Sequence, residues 1–264
     1  MLGITSVDDV LFMLLSRDEN QVAVYNINDY QLLRHLTVPG LKPCEVSDMT
    51  SCIRKKCLYI SDPENRCIQR FDLTIIVTAL MKLFTRKHIS KWSVPGSPCG
   101  LSVTRSGNLL VTCRSWISKL VELSADSGQC VRKIILQSDI QDLRHGVQMT
   151  TGQFIVCHGA SDHNLHRVCL VDDEGNITLS YEGQGGSEVG ELNSMSHLAV
   201  DEESQYIFVA DSINDRIVLL SPMLKLLGQF IGRLSCPKRL YFHHPTRRMF
   251  VGRRLTGRVT VLQL

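Results

Sequence analysis

Residues 197–231, HLAVDEESQYIFVADSINDRIVLLSPMLKLLGQFI, constrain the possible folds more than any other stretch of the chain. Four apolar runs, at 197–200, 206–210, 216–220 and 226–231, are separated by short breaks rich in Asp, Glu, Ser, Asn or Pro. Runs of that length between tight polar turns describe an antiparallel meander of four strands, not a helix. One such sheet cannot bury its apolar face alone, so the pattern should recur.

It does recur. The segment FVADSINDRIVLLS (208–221) has counterparts in MLLSRDENQVAVYNI (13–27), LYISDPENRCIQRFDL (58–73), LVTCRSWISKLVELS (110–124), IVCHGASDHNLHRVCLVD (155–172) and MFVGRRLTGRVTVLQL (249–264). Six copies in 264 residues give a mean period of about 44, the size of one propeller blade. The copy at 197–221 resembles an NHL repeat, whose usual form is a G-I-A-V-D strand, then I-Y-V-A-D, then N-N-R-I. That resemblance implies an all-β, six-bladed β-propeller similar to the C-terminal propeller of tripartite-motif (TRIM) proteins, and it specifies fold better than function.

The expected organisation is a single NHL-like unit over 1–264, with blades near 1–40, 41–96, 97–138, 139–194, 195–234 and 235–264. The count of strands leaves the last blade short of its outer strand, because the chain stops after 259–264. In the second blade, LTIIVTALMKLFTRKHISK (73–91) is an insertion that reads either as a long connection between outer strands or as two helical turns on the rim. The glycine-rich run 181–193 lacks a GK[ST] signature and a following helix, so it reads as a loop joining blades four and five.

A formal charge of +3 and 44% hydrophobic residues suit a sizeable core and imply no partner by themselves. The first residues, MLGITSVDDVLFMLL, lack a basic n-region and are interrupted by Asp8 and Asp9, so they make a poor secretory signal. Ten cysteines fall largely inside strands, without CxxC pairs, and read as reduced core thiols. Cys52 and Cys57 have no accompanying metal-ligand spacing, and the expected localisation is cytoplasmic.

Function should lie on one face of the disc. In an up-down-up-down blade, the links between blades and the turns between second and third strands lie on the same side, where loops of several blades converge. The residues expected on this partner- or RNA-binding face are Arg66, Arg114, Trp116, His158, Arg239, Arg253 and Arg254. The starts of the inner strands place Cys99, His145, His197 and Arg239 at the channel mouth. By resemblance, an amidating lyase with a similar propeller holds zinc with three channel histidines. Only His145 and His197 occupy such positions here, so no metal, no cofactor and no catalytic residue is expected, and a calcium-lactonase cage is not visible either. Asp62 and Asp211 read as residues that hold turns.

Charge is distributed unevenly. Eight Lys or Arg and no acidic residue lie between 233 and 264, whereas eleven Asp or Glu and no basic residue lie between 172 and 215. The expected function is recognition of a protein partner, as in the substrate-binding end of a TRIM-like ubiquitin ligase. Binding of single-stranded RNA, as some TRIM propellers do, and a metal-dependent propeller enzyme are the two alternatives.

Overall fold

The computed structural model describes every residue except 16–19, 75–88, 160–164, 233 and 255–256, and the side chains of 165 and 182–184 are also outside the description. The insertion in the second blade falls mostly on 75–88, so its two readings lie outside the described residues.

Six antiparallel sheets follow one another along the chain, five of four strands and a last one of three. Within each sheet the strands pair in chain order, as a meander requires when short polar turns join consecutive apolar runs. The innermost strands are Gly3–Val7, Met49–Cys52, Ser97–Val103, His145–Gln148, Met195–Val200 and Pro237–His243. The blade that makes the repeat legible comprises Met195–Val200, Ile207–Asp211, Arg216–Leu220 and Leu226–Ile231. Its second strand is fully buried and its fourth has no buried residue, as expected for strands passing from the centre of a disc to its rim. The last sheet ends on Val259–Gln263 and has three strands among the described residues, in agreement with the strand count.

The core is divided among the seams between neighbouring blades. Phe12, Leu14 and Val22 of blade one pack with Leu58, Ile60 and Phe71 of blade two. Equivalent clusters fill the next four seams, and Met1, Ile4, Leu11 and Met13 close the ring against Phe250 of blade six. Each sheet thus buries both faces against its neighbours, which solves the problem that one meander alone cannot solve. Asp62 and Asp211 hold their turns: Asp62 accepts from Asn65 and Gln69, and Asp211 from the Asn193 backbone, Asn214 and Arg216. No described helix is long and apolar enough to cross a membrane. All ten cysteines are free thiols.

Candidate functional site

The central channel is occupied by a polar hub around Asp48, which directly precedes the inner strand of blade two. Its backbone N–H donates to Ser61 Oγ at 2.7 Å, which fixes the carboxylate at the head of the strand. The carboxylate is buried and faces four other blades. Leu101 N–H of blade three donates to Oδ2 at 2.9 Å, His197 Nε2 of blade five lies 3.3 Å from the same oxygen, and His145 Nε2 of blade four lies 3.6 Å from it. Arg239 Nε of blade six is 3.1 Å from Oδ1. The hydrogen bonds of the Arg239 guanidinium run onward, to the carbonyl oxygens of Leu2 at 2.6 Å, Ser47 at 2.7 Å and Lys238 at 3.0 Å. Blade one is thereby included, and all six blades meet at one ion pair.

Local irregularities bring these groups to the axis. The pairing of inner and second strands shifts register between Pro98 and Leu101, between Met195 and Leu198, and between Pro237 and Arg239. Each shift is a bulge, which puts an extra residue on the inner strand and re-aims its side chains. Blades three and four also approach very closely here. A Cβ on Gly100 would lie 2.7 Å from the Arg144 carbonyl oxygen and 2.8 Å from His145 Cδ2, so only glycine fits beside the His145 ring.

The electrostatics follow from burial and from the Arg239 charge. Burial alone would raise the Asp48 pKa, but Arg239 and then His197 overcome it and hold the carboxyl well below its usual range. Burial drives His145 down to about 3, and the neighbouring His197 pushes it the same way. Burial also lowers His197, against the opposing pull of Asp48. Both rings are therefore neutral at pH 7 and stack with centroids 3.7 Å apart. Leu240 N–H donates to His197 Nδ1 at 3.4 Å, so the ring proton of His197 sits on Nε2 and points at Asp48. His145 Nε2 donates to the Leu101 carbonyl at 3.1 Å.

Asp48, His145 and His197 are the one described group of three side chains whose ligand atoms come together as a metal would require. Two histidines alone were expected, so the third donor is a correction to the sequence reading. The set does not suit a divalent cation as arranged. Both imidazole Nε2 atoms carry protons already donated, and the only carboxylate is matched by a buried guanidinium. A dication would therefore add two uncompensated charges to a dry site.

Other expected site residues divide by accessibility. Arg239 is buried in the hub and is not on the binding face. Cys99 is buried as well, its thiol donating to the Thr112 carbonyl at 3.2 Å, with burial pushing it up to about 12. Cys99 and Arg239 line a cavity of about 40 Å³ on the loop-rich side of the hub, whereas His145 and His197 line one of about 130 Å³ on the other side. The four residues expected together at one mouth thus sit on two sides of a closed channel. His158, expected on the face, is buried against Cys169 with Nε2 and Sγ 3.5 Å apart, because the alternation of its fully buried second strand puts it on the same face as Phe154 and Val156.

Trp116 is fully exposed at the tip of blade three, beside exposed Ile117, and Ile213 is exposed at the corresponding turn of blade five. Arg66 is exposed and forms no ion pair among the described residues. Arg114 is ion-paired with Asp142, and Arg254 with Glu45 at 3.0 Å. Arg253 is half-buried at the end of its strand. On the opposite face, Arg247 pairs with Asp201 at 3.0 Å.

No protein-family model and no curated protein sequence matches the chain. Solved structures share its fold at low identity. Hydrazine synthase of Kuenenia stuttgartiensis superposes with a TM-score of 0.70 at 13% identity, over 99% of this chain and 83% of that one. The β-propeller domain of Cps50 (Swd1) from Myceliophteria thermophila gives 0.63 at 13%, over 100% and 83%. Virginiamycin B lyase of Staphylococcus aureus gives 0.59 at 11%, over 100% and 84%. At identities of 11–13% the likeness speaks to the fold alone.

Proposed function

We propose that the chain is a non-catalytic recognition module that binds a protein partner through the loop-rich face of its propeller. The observation that carries this reading is the exposed apolar ridge of Trp116 and Ile117, with Ile213 on the same face. Exposed aromatic side chains flanked by arginine have the composition of binding hot spots. The NHL-like signature of blade five supports a role as the substrate-binding end of a TRIM-like ligase.

RNA is less well served by this surface. Arg114 and Arg254 already have carboxylate partners, Arg239 is inside the channel, and among the described residues Trp116 is the one fully exposed ring available for stacking. In the hub, Asp48 is matched by Arg239 and both Nε2 atoms have acceptors, while His145 Nδ1 has no hydrogen-bond partner among the described residues.

A photo-crosslinker placed at 117 should label the partner. Trp116→Ala should weaken that partner's binding by about 2 kcal/mol, roughly 30-fold in Kd, while Arg247→Glu on the opposite face leaves it unchanged. RNA should bind with a Kd of about 10⁻⁴–10⁻⁶ M and without sequence preference. A sequence-selective RNA complex at nanomolar Kd that depends on Arg253 and Arg254 would overturn the assignment.

A further inference from the structure

On the face opposite the loop-rich one, the hairpin of blade two places Cys52 of the inner strand directly across from Cys57 of the second. Of the ten cysteines, these are the two that strand register sets face to face. Directly paired residues of antiparallel strands have Cα atoms about 4.5–5.5 Å apart, inside the roughly 4.4–6.8 Å span of a disulfide. The turn between them reads Ile53-Arg54-Lys55-Lys56 and carries three positive charges of its own.

The two thiols are not equivalent. Cys52 lines a cavity of about 460 Å³ whose walls include Arg54, Arg105 and Gly107, with Glu202 as its one acidic lining residue. Its Sγ lies 4.0 Å from the Gly107 carbonyl. Cys57 is fully enclosed behind it, next to the buried Tyr59 hydroxyl. The Cys57 thiol donates to Cys52, and the N–H groups of Lys55 and Arg54 and the Lys55 charge add to this. Against burial, they bring the Cys52 thiol down to about 6, while the same hydrogen bond and burial push Cys57 up. Both side chains are buried, Cys52 at 3% exposure and Cys57 at 0%, but Cys52 is the one on the cavity wall, and its thiol is the more acidic of the two.

We infer that Cys52 and Cys57 form a thiol–disulfide exchange site for small anionic disulfides, with Cys52 as the attacking sulfur and Cys57 as the resolving one. Cys52 thiolate attacks one sulfur of the small disulfide, whose S–S bond breaks and releases one thiolate. That departing thiolate takes up the Cys57 proton. Cys57 then attacks Cys52 Sγ, forming the intrachain bond and expelling the second small thiolate, which takes a proton from solvent. Two electrons pass from the cysteine pair to the small disulfide, giving one Cys52–Cys57 bond and two small thiols. The guanidinium groups of Arg54 and Arg105 suit a carboxylate-bearing ligand of this kind. A bond closing so short a loop constrains the unfolded chain little and belongs among the readily reduced ones.

The turn inside this loop also joins three blades. Lys55 is ion-paired with Asp126 of blade three at 2.6 Å, and Lys56 with Asp8 of blade one. Closing the pair therefore acts on a hairpin that is tied to both neighbours.

The test is exposure of the native protein to oxidised glutathione, followed by peptide mapping without reductant. The expected product is a Cys52–Cys57 link, formed roughly tenfold or more faster than adduct at the exposed Cys130, with a rate that rises with pH as the Cys52 thiol ionises. Cys57→Ser should accumulate a mixed disulfide on Cys52, and Cys52→Ser should leave Cys57 unmodified. Modification of Cys130 ahead of the pair, or a link that forms only in denaturant, would overturn the inference. The wild-type map decides the question even where a serine variant fails to fold.

Discussion

Asp48 is buried, charged and surrounded by groups arranged for its negative charge. Its two oxygens face a guanidinium, two imidazoles and one backbone N–H. Removing the charge leaves Arg239 as an uncompensated buried cation, which generally costs about 3–5 kcal/mol. Asp48→Asn should lower stability by that amount in urea unfolding, whereas Asp48→Asn combined with Arg239→Met should recover a large part of it. Acid should act on the same cluster. Asp48 has a depressed pKa in the folded state, so its contribution is present above the ordinary carboxylate range and is lost as pH falls through its folded value. His145 and His197 are also depressed, so between pH 6.5 and about 3 the unfolded chain binds a proton at His145 that the folded hub refuses, and His197 acts in the same direction below pH 6.5. Stability should therefore fall on acidification through this window, by up to about 1.4 kcal/mol per pH unit for each histidine. Replacing both histidines by glutamine should flatten the profile, as measured by thermal unfolding across pH.

At the level of strands and turns, the repeat was legible because polar turns punctuate apolar runs and because blade five keeps its turn residues. The three-stranded last sheet could be counted for the same reason. Asp48 could not be found that way. The strand after it, Met49–Cys52, has four residues, two of them only half-buried, and carries no repeat signature. Its imidazole partner lies 149 residues further along the chain. Bulges were equally invisible, since a register shift depends on what the neighbouring blade presents. His158 was misplaced because its position at a strand end was weighed above the two-residue alternation that aligns it with buried Phe154 and Val156. The count of basic residues in 233–264 could not register the carboxylates of Glu45 and Asp201 beside Arg254 and Arg247. Trp116 was the surface residue that local sequence placed well, because a tip turn offers a large ring nothing to pack against.

The ring closes where blade six meets blade one, and the fit there depends on Gly252. A Cβ at this position would lie 2.8 Å from Met1 Cγ and 2.9 Å from Ile4 Cδ1. Gly252→Val should overpack the seam and cost about 1–3 kcal/mol in chemical denaturation, because neither blade can retreat without opening its other seam. Gly228→Ala, where a Cβ meets nothing within 4 Å, should be nearly neutral. A Gly252→Val protein as stable as the parent would show that the closing seam is loose.

Contact with a single carboxylate also changes how substitutions combine. Residues on opposite sides of a large ring ordinarily behave independently, and their energetic effects add. Here His145, His197, Leu101 and Arg239 reach the same two oxygen atoms from four blades, so the cost of altering one depends on the state of the others. A thermodynamic cycle between His145 and Arg239 should show coupling, although the pair belongs to different sheets. The six repeats are thus free to drift at their rims but not at their centres, where a change accepted in one blade resets what the remaining five can accept.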